Sequence, residues 1–165
     1  MEHILIPEKR AESLSKIIKE VSKTLNCKME IIDGNNVSIS GEAYDEYNAR
    51  NVIQAYGRGF GIDEAYKLLN EDIFCKFTDL KDFFKNDEQR QRIRARMIGK
   101  EGKTKLYIEE VSGVKLSIYG NTVGMIGTIE QLRIASAALQ VLVEGGTHKK
   151  AYNIMERMRR SSEAV

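Results

Sequence analysis

The chain has 165 residues, a length that suits one ordinary domain or two small ones. Hydrophobic residues make up 42% and charged residues 30%, which is typical of a folded globular protein and excludes a disordered chain. The net charge of +2 is too small to indicate a nucleic-acid partner by itself. No apolar run approaches the length of a membrane span, so we expect no membrane partner.

The N-terminal residues lack the basic and apolar segments of a secretory signal, so we expect a cytoplasmic protein. Cys27 and Cys75 are far apart and have apolar neighbours, which favours buried free thiols over a disulfide. Two histidines and no cysteine cluster make a zinc site unconvincing. We therefore expect neither a metal site nor a cofactor.

Residues 1–78 are predicted to form a first module. Its elements, in chain order, are a strand at residues 4–6, helix over residues 9–18, a hairpin at residues 28–41, a long helix at residues 42–56 and a further helix at residues 63–69. The polar segment of residues 79–89 is predicted to be a linker or a short helix.

Residues 90–165 are predicted to form a second module. Its elements are a strand at residues 92–97, a helix at residues 103–112 that stops at Gly113, a hairpin at residues 115–127, a long helix at residues 128–143 and a last helix at residues 148–160. The strand is inferred from the alternation of basic and apolar residues, which has the period of two that strands show.

An internal repeat relates the two modules. The hairpin sequence of residues 28–41 resembles that of residues 115–127, and matches continue downstream at an offset of 86 residues. Upstream, residues 18–22 resemble residues 108–112, which implies three extra residues before the hairpin of the first copy. The repeat predicts an α+β fold of two tandem β-α-α-β-β-α modules, each with an extra helix.

A G-x-x-G pattern, Gly99-Lys100-Glu101-Gly102, lies between the predicted strand and the helix of the second module. Two glycines let the backbone turn sharply and let a phosphate chain approach, and helix-start amides attract phosphates. A KH domain of the β-α-α-β-β-α kind carries its GXXG loop at this place, and such loops clamp about four nucleotides of single-stranded nucleic acid. The residues predicted to contact RNA here are Ile98, Gly99, Lys100, Glu101, Gly102, Lys103 and Thr104.

Basic residues surround this pattern, with seven of them and a single acid, Glu101, between residues 90 and 105. In the predicted strand, Arg94 and Arg96 share a face, where they would either contact the RNA backbone or be solvated. Lys115 and Tyr119 are candidates for the opposite wall of the groove, and Tyr119 would either stack on a base or have a structural role.

A nucleotide-triphosphate site is the main rival interpretation of the same residues. Gly102-Lys103-Thr104 looks like the end of a Walker A loop, but that motif requires a glycine where this chain has Met97. The first module has no glycine before Gly34, so it cannot carry a GXXG loop. The second-module loop is therefore the candidate RNA clamp of the chain.

The sequences at residues 98–102, 108–113, 123–127 and 59–70 resemble the archaeal two-KH-domain rRNA-processing proteins, the counterparts of a eukaryotic small-subunit assembly factor that partners a PIN-domain endonuclease. The resemblance implies a factor that binds near the 3′ end of small-subunit rRNA and assists its maturation. The sequence suggests no nucleophile–base pair and no carboxylate cluster with metal spacing, so we expect a non-catalytic RNA-binding factor. It also implies protein partners among the processing endonuclease and initiation factors. The alternatives are a KH subunit of an RNA-degrading complex or translation regulator, and a protein-interaction scaffold with weak RNA binding.

Overall fold

The computed structural model describes residues 1–163 and divides the chain into two compact units, Met1–Glu71 and Asp72–Val165. Across the described residues, every helix is too short or too polar to span a lipid bilayer. Each unit contains one small antiparallel sheet and its own helices. The predicted α+β class is confirmed.

The first unit follows the order β-α-α-β-β-α and ends in a short helical segment. Its elements are β1 (Glu2–Leu5), α1 (Glu8–Ser15), α2 (Ile18–Leu25), β2 (Lys28–Ile32), β3 (Asn36–Ser40), α3 (Ala43–Gly57) and α4 (Ile62–Ala65), followed by a 3₁₀ turn at Tyr66–Leu69. The strands pair in the order β1-β3-β2, so the last strand of the hairpin lies in the centre.

The second unit repeats this order and adds a full helix. Its elements are β4 (Phe74–Asp79), α5 (Asp87–Ile98), α6 (Lys103–Ser112), β5 (Lys115–Tyr119), β6 (Thr122–Gly127), α7 (Ile129–Val143) and α8 (His148–Glu163). The strands pair as β4-β6-β5, the same arrangement as in the first unit. The hairpin and the long helix of this unit lie where the sequence predicts them.

The start and the buried face of α7 follow directly from its sequence. The Thr128 hydroxyl accepts a hydrogen bond from the Gln131 amide, and the Gln131 side chain accepts one from the Thr128 amide, which forms a capping box. Ala135, Ala138 and Leu142 recur at helical spacing and are fully buried. This stripe packs into the core that the second-unit sheet and helices share.

The predicted strand at residues 92–97 is wrong, because these residues belong to α5. The alternation of basic and apolar residues has a strand-like period, but Ile93 and Met97 are the buried positions, and they are four residues apart as in a helix. Asn86 caps this helix, since its side chain accepts a hydrogen bond of 2.7 Å from the Glu88 amide. An Asn cap followed by acidic residues is a helix-start signal.

The first strand of the second unit lies earlier in the chain, which changes the predicted boundaries. β4 pairs with β6 over its whole length, from Phe74 opposite Gly127 to Asp79 opposite Thr122. Residues 72–78, predicted to end the first module, therefore belong to the second unit. Residues 79–89, predicted to be a linker, contain the end of β4, a 3₁₀ turn and the start of α5.

The repeat upstream of the hairpins also differs from the prediction. α2 ends at Leu25 and α6 ends at Ser112, and two residues connect each helix to its hairpin. The first connecting residue has a positive φ in both copies, 54° at Asn26 and 88° at Gly113. The two copies therefore align here without the three extra residues that sequence matching implied.

An arginine clamp closes the long helix of the first unit. Arg10 in α1 donates one hydrogen bond to the Tyr56 carbonyl at 2.8 Å and a second to the Phe60 carbonyl at 2.5 Å. These carbonyls lie at and beyond the last turn of α3, where backbone oxygens have no helical partner. A guanidinium at a helix C-terminus also complements the helix dipole.

The second unit contains the same clamp 86 residues later. Arg96 in α5 donates to the Leu142 carbonyl at 2.9 Å and to the Gly146 carbonyl. Each of the three residues lies 86 positions after its counterpart in the first unit. A shared side-chain contact at constant offset is independent evidence for the duplication that the sequence predicts.

Both cysteines are free, as predicted, and neither thiol is strongly acidic. Cys27 is buried and Cys75 is half-buried. Burial raises the pKa of Cys75 to about 12 and raises the pKa of Cys27 above its ordinary value.

Candidate nucleic-acid interface

The G-x-x-G loop joins two helices. α5 ends at Ile98 and α6 begins at Lys103, so the four residues between them form the connection. Three of the four have positive φ, namely 76° at Gly99, 55° at Glu101 and 76° at Gly102. The Gly102 amide donates to the Gly99 carbonyl at 3.1 Å and closes a tight turn.

The two glycines serve different purposes. Gly99 has φ 76° and ψ 171°, a region that is essentially restricted to glycine. A Cβ at this position would lie 2.2 Å from the Thr104 hydroxyl oxygen, so the backbone packs directly against that side chain. Gly102 faces open space, with nothing within 4 Å of an added Cβ. The inner side of the loop, at Gly99, is therefore closely packed, and its outer side, at Gly102, is open.

The N-terminus of α6 has the charge pattern of an anion site. Its cap residue, Gly102, offers no side-chain hydrogen bond, and its first turn contains no acidic residue. Lys100 and Lys103 are exposed, and within residues 1–163 neither forms an ion pair. Together with the helix dipole, these two cations produce a positive potential at the open side of the loop.

Two aliphatic side chains flank the loop in an exposed position. Ile98 precedes the loop and is 37% exposed, and Leu106, one turn into α6, is 59% exposed. The buried stripe of α6 is formed by Thr104, Ile108 and Val111, so Leu106 lies outside it. Exposed aliphatic groups beside a cationic loop suit the apolar faces of bases, next to the phosphates that the loop attracts.

The structure does not bring Arg94 and Arg96 to this surface as free phosphate ligands. Arg94 donates to the side-chain oxygen of Asn121 in the β5–β6 turn. Arg96 forms the clamp on α7 described above. Both side chains are half-buried and form hydrogen bonds within the protein. The alternation in the sequence could not predict these hydrogen bonds, because the partner residues lie 27 to 50 positions away.

Lys115 and Tyr119 lie on the sheet face that points away from the helices. The intervening positions, Leu116 and Ile118, belong to the helix-side core, and alternate residues of a strand face opposite sides. The predicted second wall of the groove is therefore not formed by these two side chains. Glu109 of α6 contacts this strand instead, since its carboxylate accepts the Leu116 amide at 3.0 Å.

Thr104 points inward, contrary to its predicted contact with RNA. Its side chain is 5% exposed, and its hydroxyl accepts a hydrogen bond of 3.1 Å from Tyr152 in α8. The sequence does not reveal this contact, because 48 residues separate the two side chains. Leu106 was also missed as a surface residue, although the spacing of Ile108 and Val111 would have placed it off the buried stripe.

Comparison with known proteins agrees with this fold. The family model of the second KH domain of Pno1 proteins, described as a eukaryotic-type KH domain (KH-domain type I), matches residues 74–160, more than half of the chain. A KH domain-containing protein of Methanocaldococcus jannaschii is 34% identical over 96% of this chain and 74% of its own length. The chain belongs to the Pno1/Dim2 family of KH-domain proteins.

Two further relatives place the chain within the Pno1/Dim2 family. A chain of the a/eIF2alpha–aDim2p–rRNA complex from Pyrococcus horikoshii OT3 superimposes with a TM-score of 0.88 and 32% identity, covering 97% of this chain and 94% of that one. The pre-rRNA-processing protein pno1 of Aspergillus fumigatus is 30% identical over 66% of this chain. The match spans 44% of that fungal protein, which is less than half of its length.

Proposed function

We propose that this Pno1/Dim2 protein binds single-stranded RNA at the Gly99–Gly102 loop and acts in small-subunit rRNA processing and ribosome assembly, near the rRNA 3′ end. The observation that carries the proposal is the loop itself. It combines a glycine turn open on its outer side, an uncapped helix N-terminus and two exposed lysines. This combination suits the phosphates of a nucleic-acid strand.

The proposed contacts divide between backbone and bases. Phosphates lie against Gly102 and the first amides of α6, where Lys100 and Lys103 add attraction. Bases lie against the exposed aliphatic side chains of Ile98 and Leu106. Phosphate contacts fix the position of the strand, and base contacts choose the sequence.

The relatives support the RNA class and suggest protein partners. The Pyrococcus complex contains aDim2p together with rRNA and a/eIF2alpha, and the Aspergillus relative is a pre-rRNA-processing protein. By analogy we propose small-subunit rRNA as the RNA partner and an initiation factor as a candidate protein partner. The family resemblance of the sequence adds a processing endonuclease as a second candidate protein partner. A cytoplasmic, non-catalytic role without a cofactor fits this function.

We further propose that the first unit is a second, KH-like module that lacks the RNA clamp. The order of its elements and its arginine clamp match those of the second unit. Its two helices are joined by Lys16 and Ile17, which both have negative φ, in place of a glycine loop. This turn offers no open backbone for a phosphate chain, which leaves the unit free for a structural or protein-binding role.

Binding of labelled single-stranded RNA tests the proposal. RNA that matches the 3′ end of small-subunit rRNA should bind more tightly than a scrambled RNA. The variant Lys100→Asp with Glu101→Asp should weaken binding without unfolding the protein. Equal binding of both RNAs would contradict the rRNA assignment, and full binding by the variant would contradict the site.

The first unit offers a matched control for this variant. Lys19 and Glu20 in α2 form the same Lys-Glu pair and are both exposed. The change Lys19→Asp with Glu20→Asp alters the net charge by the same amount, in the unit that has no glycine loop. It should leave RNA affinity within about twofold of the parent, because the loop and its two lysines are unchanged.

A further inference from the structure

Helix α8 lies beyond the β-α-α-β-β-α core and contacts both helices that flank the Gly99–Gly102 loop. On the α5 side, the Nε2 atom of His148 lies 2.9 Å from the Arg96 carbonyl oxygen, which fits an N–H donor. On the α6 side, the Tyr152 hydroxyl donates to the Thr104 hydroxyl oxygen at 3.1 Å. One helix therefore holds the last turn before the loop and the first turn after it.

Thr104 connects α8 to the loop. Its hydroxyl oxygen would lie 2.2 Å, and its own Cβ 2.6 Å, from a Cβ added to Gly99, so its side chain fills the space beside the Gly99 backbone. Threonine in a helix divides between two χ1 rotamers, because its hydroxyl can bond a carbonyl of the preceding turn. The hydrogen bond from Tyr152 selects one of them, and the selected rotamer sets the space that Gly99 has.

We propose that Tyr152 is a positioning residue that holds the GXXG loop in its RNA-binding shape through Thr104. The inference rests on the proposed function for its effect on RNA. Helix α8, which is additional to the β-α-α-β-β-α order, thereby contributes to RNA affinity without contacting RNA. Removal of the Tyr152 hydroxyl frees the Thr104 rotamer and lets the inner side of the loop shift.

A neighbouring hydrogen bond in the same helix pair provides a control. The Tyr107 hydroxyl in α6 donates to the Glu156 carboxylate in α8, and this bond raises the pKa of Tyr107. The rings of Tyr107 and Tyr152 are 4.3 Å apart, so the two bonds share one interface. Tyr107 lies one turn further from the loop than Thr104 does, and its bond does not involve a residue that contacts Gly99.

The test compares Tyr152→Phe with Tyr107→Phe in the full chain. Tyr152→Phe should weaken binding of single-stranded RNA by about three- to tenfold, the effect of one lost hydrogen bond. Tyr107→Phe should change RNA affinity by less than about twofold, even if it lowers the urea midpoint of unfolding as much as Tyr152→Phe does. Equal affinities of Tyr152→Phe and the parent, or an equal loss in Tyr107→Phe, would overturn the inference.

Threonine variants and NMR provide readouts that a purely structural role would not move. Thr104→Ser keeps the hydroxyl and should bind RNA nearly as the parent does, whereas Thr104→Val should bind as weakly as Tyr152→Phe. The double variant, Tyr152→Phe with Thr104→Val, should bind RNA no more weakly than Thr104→Val alone, because the two substitutions remove the same hydrogen bond. Additive losses would contradict the shared path.

The backbone amide shifts of the loop test the inference without RNA. Tyr152→Phe should shift the amide resonances of Gly99 and Gly102, and Tyr107→Phe should leave them in place. Unmoved resonances in Tyr152→Phe would overturn the positioning role whatever the RNA result. Failure of the parent protein to bind any single-stranded RNA would instead refute the proposed function, and the two failures are therefore distinct.

Discussion

Substitution of the two loop glycines by alanine separates the inner and outer sides of the loop. Both residues have φ 76°, so both variants place a Cβ in the left-handed half of conformational space. The surroundings differ, because the added Cβ would lie 2.2 Å from the Thr104 hydroxyl oxygen at Gly99 and meet nothing within 4 Å at Gly102. The backbone regions differ as well, since ψ is 171° at Gly99 and 10° at Gly102, so the inner position should be the more costly on both counts.

The expected magnitudes follow from these two terms. Gly102→Ala should cost about 1 kcal/mol of unfolding free energy, the strain of a left-handed alanine. Gly99→Ala places alanine in a backbone region that is essentially restricted to glycine, at a cost of roughly 1–3 kcal/mol. The overlap of its Cβ with the Thr104 side chain costs roughly 1–3 kcal/mol more. Its total should be about 4 kcal/mol, so the two variants should differ by about 3 kcal/mol.

Urea unfolding followed by circular dichroism measures both values. The m-value should stay unchanged if the variants alter only the folded state. RNA affinity should fall with Gly99→Ala, provided that the variant is folded at the temperature of the assay. A Gly102→Ala variant that is destabilised as much as Gly99→Ala would refute the assignment of inner and outer sides.

Three further predictions concern charge, the arginine clamp and the thiols. RNA affinity should fall as salt rises, because phosphate contacts release counterions, and a salt-insensitive complex would favour a protein scaffold. Arg96→Ala should lower the unfolding free energy by about 2 kcal/mol in urea, since it leaves the Leu142 and Gly146 carbonyls without their charged donor, and an unchanged midpoint would contradict the clamp. With a pKa of about 12, Cys75 should resist iodoacetamide at pH 8, where about one molecule in ten thousand carries the thiolate. It should react quickly in urea, and rapid labelling of the native protein would contradict its burial.

The sequence predicts the order of elements because hairpin glycines, apolar spacing and the repeat are local signals. The long helix α7 and the glycine loop lie where these signals place them. The strand predicted at residues 92–97 is part of a helix. The apolar positions in these six residues fit both the period of a strand and that of a helix, and the Asn86 cap decides in favour of the helix. Because this strand was misplaced, the predicted start of the second module and the predicted boundary between the modules are misplaced as well.

The predicted site divides in the same way. The loop residues depend on local backbone chemistry; the sequence places them between a strand and a helix, and the structure shows that they join two helices. The roles of Arg94, Arg96 and Thr104 depend on partners 27 to 50 residues away, which no local pattern specifies. Basic residues in a stripe looked equivalent in sequence, but the structure gives some of them hydrogen-bonded partners and leaves Lys100 and Lys103 exposed at the loop.

The affinity of the Lys100→Asp, Glu101→Asp variant for RNA that matches the 3′ end of small-subunit rRNA tests the central claim most directly. We expect a loss of about tenfold or more against the parent, because a cation at the phosphate site becomes an anion. The unfolding midpoint should be unchanged, and the Lys19→Asp, Glu20→Asp control should bind as the parent does. A loop variant that binds as tightly as the parent would show that the RNA lies elsewhere on the protein.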